Sequence, residues 1–325
     1  MILNSLQATG ERAFDLLAYG DPNVDYVFEA ARIPAADEKL LGRNLGLFAG
    51  GTVANVASAA ARLGARVAGF GRVGQDPDGA FLLAANTEFG VSSRHLVTTD
   101  ARTAAASIMV DSSGEKALIY APMPGRAFDA ERLSLALAES RIIYAMPYDL
   151  EEFEMVSARA RAANVLVAID IEAAVAPDPQ RLHALLKLSD IVFMNEGGLR
   201  ATQDQPIGAG VLEALARQGP KVVVVTLGAR GAVAFSEGDY VEHPAFQSRL
   251  VDATGAGDCF NGAFLAALLN GGSLVHCTRF ACAAASFAVS AVGARTAIPH
   301  PNEVLARMSE NVKFTSQIVQ PPSMA

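Results

Sequence analysis

The 325-residue sequence has no tryptophan, three cysteines and five histidines. Cys259, Cys277 and Cys282 form an odd, sparse set without metal-ligand spacing. This argues against a disulfide framework and for a reducing compartment, with the thiols serving as small core residues. Cys259 adjoins Asp258, which also makes it a candidate reactive thiol. The histidines show neither metal nor triad spacing. The formal charge of −8, with no lysine or arginine cluster, argues against nucleic acid or an anionic membrane as partner. A nucleotide is not excluded, because backbone N–H groups can hold phosphate locally. The first residues show no basic region followed by an apolar block, so a cytoplasmic location is expected. One long uncharged run, Cys259 to Thr278, is interrupted by Asn261, Asn270, Gly271, Gly272, Ser273 and His276. Two buried helices split at the glycine pair are expected there, not a membrane span.

Half of the residues are hydrophobic, many of them alanine, enough for a sizeable core. The length suits one large α/β domain with an appendage, or two domains. Short β-rich runs at Phe14–Tyr19, Arg66–Phe70, Ile142–Ala145, Val165–Ile169, Ile191–Met194 and Val222–Thr226 alternate with helical patterns. The helices are expected at Ala54–Leu63, Asp78–Phe89, Glu151–Ala163, Arg181–Leu188 and Gly210–Arg217. Such alternation predicts a mostly parallel sheet with helices on both faces. Two stretches break the rhythm. Asp25–Phe48 has strand-like pieces without a helix, and Arg102–Met123 has two strand-like runs around Asp111-Ser112-Ser113-Gly114. They read as a small antiparallel sheet, residues 26–48 and 102–123, inserted as a lid into a main domain of residues 1–25, 49–101 and 124–325. The polar, proline-containing tail after Lys313 reads as loosely held.

Asp252-Ala253-Thr254-Gly255-Ala256-Gly257-Asp258 carries the most chemistry. Gly255, Ala256 and Gly257 leave backbone nearly bare where an apolar helical pattern opens at the second glycine. Unpaired N–H groups at a helix's positive end can receive a transferring phosphoryl group. Asp258 then stands at the mouth of an anion hole, a costly place for a carboxylate unless it takes a proton from an attacking hydroxyl. The bland alternative is a turn with a capping aspartate. Gly50-Gly51-Thr52-Val53-Ala54-Asn55 opens another helix, and Asn55 on its first turn suits a polyhydroxylated substrate. Gly20-Asp21-Pro22-Asn23-Val24-Asp25 follows the first strand, where Asp25 can accept two hydrogen bonds from neighbouring hydroxyls. Thr226, Gly228 and Gly231 lie at a strand's carboxyl end and would let a nucleotide approach backbone, while Arg230 beside them reads as a surface charge. Gly69-Phe70-Gly71-Arg72-Val73-Gly74 matches a dinucleotide fingerprint literally, but a turn follows it instead of a helix.

In this order, these motifs resemble the ribokinase-like family of carbohydrate kinases, the phosphofructokinase-B type. The most specific element is Asp252–Asp258 continuing into Cys259-Phe260-Asn261-Gly262, supported by residues 50–55 and by Val73–Gly79. The resemblance runs from the strand before Gly20 to about Pro299. It implies a three-layer α/β/α fold and ATP-dependent phosphorylation of a primary hydroxyl, with Mg2+ and in many relatives K+. Asp258 would be the base and Gly255, Ala256 and Gly257 the anion hole. Asp25, Gly50, Gly51 and Asn55 would hold the sugar. Asn195, Thr226, Gly228 and Gly231 would line the nucleotide, and Ala281–Ala285 would flank the adenine. Asp252, Thr254 and Gly293 match positions of a monovalent-cation site. The lid of such kinases often also serves as a dimer contact, so a homodimer is implied.

One departure stands out. The family usually shows Asn-x-x-Glu where this chain has Asn195-Glu196-Gly197-Gly198. Gly198 replaces the acidic residue that organises the magnesium water shell, and Glu196 is the candidate substitute. That departure, with Ser107–Asp111 and Gly114-Glu115, is similar to a sulfofructose-kinase-like branch. The leading expectation is a kinase for a ketohexose, furanose or sugar acid. A nucleoside kinase is the alternative, with a base slot near Tyr26, Phe28 and Phe48. A catalytically weak sugar-binding relative is the third reading, motivated by Gly198.

Overall fold

Successive residues of the first strand, Phe14–Tyr19 (β1), serve two different cores. Leu16 and Ala18 join one apolar cluster, and Leu17 and Tyr19 join the other. This is the period-2 alternation of a strand buried on both faces. The same alternation recurs in Ser140–Ala145 (β8), Leu166–Ile171 (β9), Ile191–Asn195 (β10) and Val222–Thr226 (β11). The computed structural model describes Leu6, residues 11–112 and residues 115–310. The tail after Lys313, and Ser113 and Gly114 of the expected lid turn, lie outside the described residues.

With Val67–Gly74 (β4), Val91–Thr99 (β5), Ala232–Ser236 (β12) and Asp239–His243 (β13), these strands form a nine-stranded sheet of order β13-β12-β11-β10-β9-β8-β1-β4-β5. Pairing is parallel from β11 through to β5 and antiparallel at the β12–β13 edge. One face is covered by Thr52–Arg62 (α1), Ala256–Leu269 (α8) and Leu274–Ala288 (α9), with Pro301–Ser309 (α10) beyond them. The other face is covered by Ala130–Ala138 (α3), Leu150–Ala162 (α4), Pro179–Lys187 (α5) and Ala209–Ala216 (α7). Pro77–Phe89 (α2) packs against β4 and β5, and Glu196–Arg200 (α6) follows β10 directly. The expected three layers are present.

Gly69–Gly74 lies inside β4 and not at a strand-to-helix turn. A Cβ on Gly71 would come within 2.5 Å of the Gly20 carbonyl oxygen, so close strand packing explains that glycine. The uncharged run from Cys259 divides into α8 and α9 at residues 270–273, and no helix among the described residues is long and apolar enough to cross a membrane.

A second sheet of four strands stands over the first. It consists of Asn23–Ala30 (β2), Gly42–Gly50 (β3), Ala104–Val110 (β6) and Lys116–Ala121 (β7), in the order β3-β2-β6-β7. The two hairpins are antiparallel as expected, but the central β2–β6 pair that joins them is parallel. Arg72 pins the base of the second hairpin. Its guanidinium bonds the Asp21 carboxylate at 2.6 Å and the carbonyls of Pro124 and Gly125 at 2.7 and 3.1 Å.

Candidate active site

The order of the large sheet reverses around β1, whose neighbours are β4 and β8. In such sheets the crevice at the carboxyl ends of the strands is the place for a ligand. The small sheet meets the start of α8 through Lys116, which bonds Asp252 and Thr254 just before that helix.

Helix α8 begins one residue earlier than the sequence suggests. Gly255 is its N-cap in a left-handed conformation, φ 76°, and a Cβ there would also come within 2.5 Å of Ala294 Cβ. No side chain caps this helix. Gly257 is exposed and has open space around it, so the first-turn N–H groups remain accessible to a ligand. Asp258 follows on that turn. Burial pushes its carboxyl up to about 7. The Asn55 hydrogen bond opposes the rise, the Glu172 charge adds to it, and the Arg295 charge opposes it.

Two side chains in series fix Asp258. Arg295 donates through Nε to Asn55 Oδ1 at 2.8 Å and through Nη2 to the Gly50 carbonyl at 2.7 Å. With its oxygen held, Asn55 turns its amide nitrogen to Asp258 Oδ2 at 2.8 Å. Arg295 is buried, and burial lowers its pKa to about 10 against the charges of Asp25 and Asp258. Its Nη1 is buried without a hydrogen-bond partner. Arg295 carries no local motif, and sequence reasoning missed it.

Asp25 sits on β2 beside this pair. Asn23 donates to its Oδ1 at 2.6 Å, and a Cβ at residue 50 would lie 2.2 Å from Asp25 Oδ2. Gly50 is therefore a glycine because Asp25 packs onto it. Burial raises the Asp25 pKa, while Asn23 and Arg295 oppose the rise. Strand register sets Asp25 opposite Ala106 and Ala106 opposite Tyr120, so the three share one face, with Phe48 opposite Asp25 on β3. Tyr26 and Phe28 point away, by alternation, and Tyr26 hydrogen-bonds Asp78 on α2 at 2.7 Å. The expected base slot from Tyr26 and Phe28 is therefore not formed. Phe48 and Tyr120 are the aromatic residues on the Asp25 face.

Under Asp258 lies a buried polar group. Asn261, one turn on in α8, donates to Asp170 Oδ2 at 2.8 Å and to the Tyr144 hydroxyl at 3.2 Å. Burial, then the charges of Asp258 and Glu172, push Asp170 up to about 7. Glu172 is raised by burial.

The remaining expected residues divide into two groups. Asn195 and Thr226 face each other in register at the ends of β10 and β11, and Gly228 is exposed with open space around it. Asn195 also caps α6 by accepting from Gly198 N at 2.7 Å. Gly231 is buried. A Cβ there would lie 2.0 Å from the His243 carbonyl oxygen, so its glycine serves packing on β13. Of Ala281–Ala285, the first four residues are buried in α9 and only Ala285 is partly exposed, which leaves little of that stretch to meet an adenine. Glu196 is tied to Arg200 at 2.9 Å and to Arg230 at 2.5 Å, so the charge suspected of idling at Arg230 has a partner and Glu196 is held by arginines. Gly198 is buried where a Cβ would come 2.3 Å from the Ile171 carbonyl oxygen and 3.0 Å from Glu172 Cα. Cys259 is buried with its thiol pushed up to about 12 by burial and then by the Asp258 charge, which removes it as a reactive thiol.

Asp252, Thr254 and Gly293 do come together. Asp252 Oδ1 accepts from the Thr254 N–H and hydroxyl at 3.0 and 2.6 Å, and Oδ2 accepts from Gly293 N at 3.0 Å. A fourth residue, Lys116 of the lid, joins them. Its Nζ donates to Asp252 Oδ1 at 2.6 Å and to Thr254 Oγ1. Burial works to raise the Asp252 pKa, but Lys116, Thr254 and Gly293 outweigh it and hold the carboxyl at about 2.

Residues 13–301 match the sequence profile of the pfkB family carbohydrate kinases. The ribokinase of Haemophilus influenzae is 29% identical over 299 residues, covering 89% of this chain and 97% of the relative. A nucleoside kinase of Methanothermobacter thermautotrophicus is 28% identical over 306 residues, covering 91% and 96%. The structure of Arabidopsis thaliana ribokinase complexed with ribose and ATP superposes with a TM-score of 0.79 at 27% identity, covering 93% of this chain and all of the other.

Proposed function

Because the chain belongs to the pfkB family of carbohydrate kinases, we propose that it transfers the γ-phosphoryl group of ATP to a primary hydroxyl of a sugar, with Asp258 as the base. The observation that carries this reading is Asp258 on the uncapped first turn of α8, oriented by Asn55 and backed by Arg295.

Asp25 and Asn55 hold the sugar hydroxyls, with Gly50 and Gly51 giving the sugar access to the backbone and Tyr120 offering a ring face above Asp25. The triphosphate lies along the ends of β10 and β11, past Asn195, Thr226 and Gly228, with its terminal group at the N–H groups of Gly255, Ala256 and Gly257. Asp258 accepts the hydroxyl proton as the new P–O bond forms and the bond to the ADP oxygen breaks. A loose transition state releases that proton late, so a carboxylate suffices. Lid closure excludes water that would otherwise hydrolyse ATP.

Asp258 and Glu172 raise the proton affinity of Asp170, and Glu172 raises that of Asp258, a surplus of negative charge that suits the hydrated magnesium accompanying the nucleotide. Glu172, adjacent to the position where Gly198 leaves out a carboxylate, is the residue that would hold that water shell, in place of Glu196. Bound there, the ion would neutralise charge on the transferring group.

A nucleoside acceptor is the second reading, favoured by the aromatic pair Phe48 and Tyr120 on the Asp25 face. Tyr26, Phe28, Leu47 and Ile119 form an exposed apolar outer face on the lid, which supports a homodimer through that face. An ADP-release assay with ATP and magnesium across ketohexoses, pentoses, sugar acids and nucleosides tests the reaction and separates the two acceptors.

A further inference from the structure

The two lid hairpins reach two neighbouring segments, the one after α9 and the one that leads into the anion hole, which Asp252 joins through Gly293 N. From the first, Phe48 packs so closely on Gly293 that a Cβ there would lie 2.6 Å from its ring. From the second, Lys116 reaches Asp252 and Thr254. Asp252 is the hub. It gathers the backbone N–H of Thr254 and of Gly293, the Thr254 hydroxyl and the Lys116 ammonium, three residues before the left-handed turn at Gly255. The mostly buried carboxylate thus accepts from three neutral donors and one ammonium, and the Lys116 ammonium is the cation bound to it.

We infer that the Lys116 ammonium is the built-in cation of this loop: a positioning residue that sets the anion-hole backbone when the lid is down and takes the place of a dissolved monovalent ion. The inference rests on reading Gly255–Gly257 as the phosphoryl site. Two consequences follow. Wild-type protein does not respond to potassium, because the charge is covalently attached to β7. Lifting the lid withdraws the charge, so acceptor binding and a competent anion hole are coupled through one side chain. The Lys116 side chain is 35% exposed, so its place can be reached from solvent when the ammonium is deleted.

The test uses the full chain as wild type, Lys116→Met and Lys116→Arg, in choline, sodium, potassium or ammonium chloride at equal ionic strength. Thermal melting without substrate is the first measurement. Wild type and Lys116→Arg melt at the same temperature in all four salts. Lys116→Met melts lower in choline and recovers in potassium and ammonium. Phosphoryl transfer is the second. Lys116→Met loses turnover by about 10²-fold in choline, the order expected when groups at a reacting centre are misplaced by an ångström. Potassium and ammonium restore turnover, with acceptor KM little changed. A wild type stabilised by potassium overturns the inference. So does a Lys116→Met protein that is unchanged, or is less stable with no response to any cation, which leaves Lys116 a mere tether. If wild type phosphorylates no acceptor, the kinase reading fails, while the melting arm still decides the role of Lys116.

Discussion

Asn55 places its amide nitrogen 2.8 Å from Asp258 Oδ2 although the two residues are 203 positions apart. Arg295 holds the opposite atom of the same amide. Asn55 therefore cannot flip to accept a proton from Asp258, and the pair favours the ionised carboxylate that a base requires. Asp258→Asn preserves the bond from Asn55 and removes the base. Turnover should fall by about 10²–10⁴-fold, the usual worth of a positioned base, while calorimetry shows the acceptor still bound. Near-normal turnover removes Asp258 from its role.

The same pair sets a pH dependence. Asp258 has a folded pKa of about 7 against its ordinary 3.8. Between those values the folded chain holds a proton that the unfolded chain has released, so stability falls as pH rises through this window. Asp258→Asn should melt above wild type at pH 8, with the gain gone below the ordinary carboxylate pKa. The wild-type kcat/KM should lose a factor of ten per pH unit on the acid side of its limb. Arg295→Met removes a charge that lowers the Asp258 pKa, so this limb should move to higher pH. An unmoved limb places the titrating group elsewhere.

The main sheet was largely legible because its strands are apolar on both faces and are punctuated by glycines. Val222–Val225 and the Gly-Gly break between α8 and α9 are examples. Strand β5, with serines, histidine and threonines in a half-exposed edge position, carried no such signal, and the short antiparallel strand β12, paired between β11 and β13, was missed likewise. The parallel β2–β6 pair joins segments about eighty residues apart, which no hairpin rule reaches. The same distance hid part of the site. Asp25, Asn55 and Asp258 announce themselves by glycine-rich neighbours, whereas Arg295, Lys116 and Tyr120 act only through partners remote in sequence.

In the proposed function Asp25 serves the acceptor, and Asn195 and Thr226 serve the nucleotide. Asp25→Ala should raise the acceptor KM far more than the ATP KM in steady-state kinetics. Equal changes in both constants place Asp25 outside the acceptor pocket.

Gly198 looks like a lost carboxylate, but the structure leaves no room for one. A Cβ there meets the Ile171 carbonyl oxygen at 2.3 Å. Gly198→Ala should cost about 1–3 kcal/mol by overpacking, and Gly198→Glu should be worse, without raising turnover. Glu172→Gln should instead raise the magnesium concentration needed for half-maximal rate. A Gly198→Glu protein with normal stability and improved turnover contradicts this view of the cleft.

The most direct measurement is ADP release by wild type and Asp258→Asn side by side, with ATP and magnesium, over sugars, sugar acids and nucleosides. The account predicts acceptor-dependent release by wild type for at least one sugar, nearly abolished in Asp258→Asn. Release that ignores the acceptor, or that survives in Asp258→Asn, contradicts it.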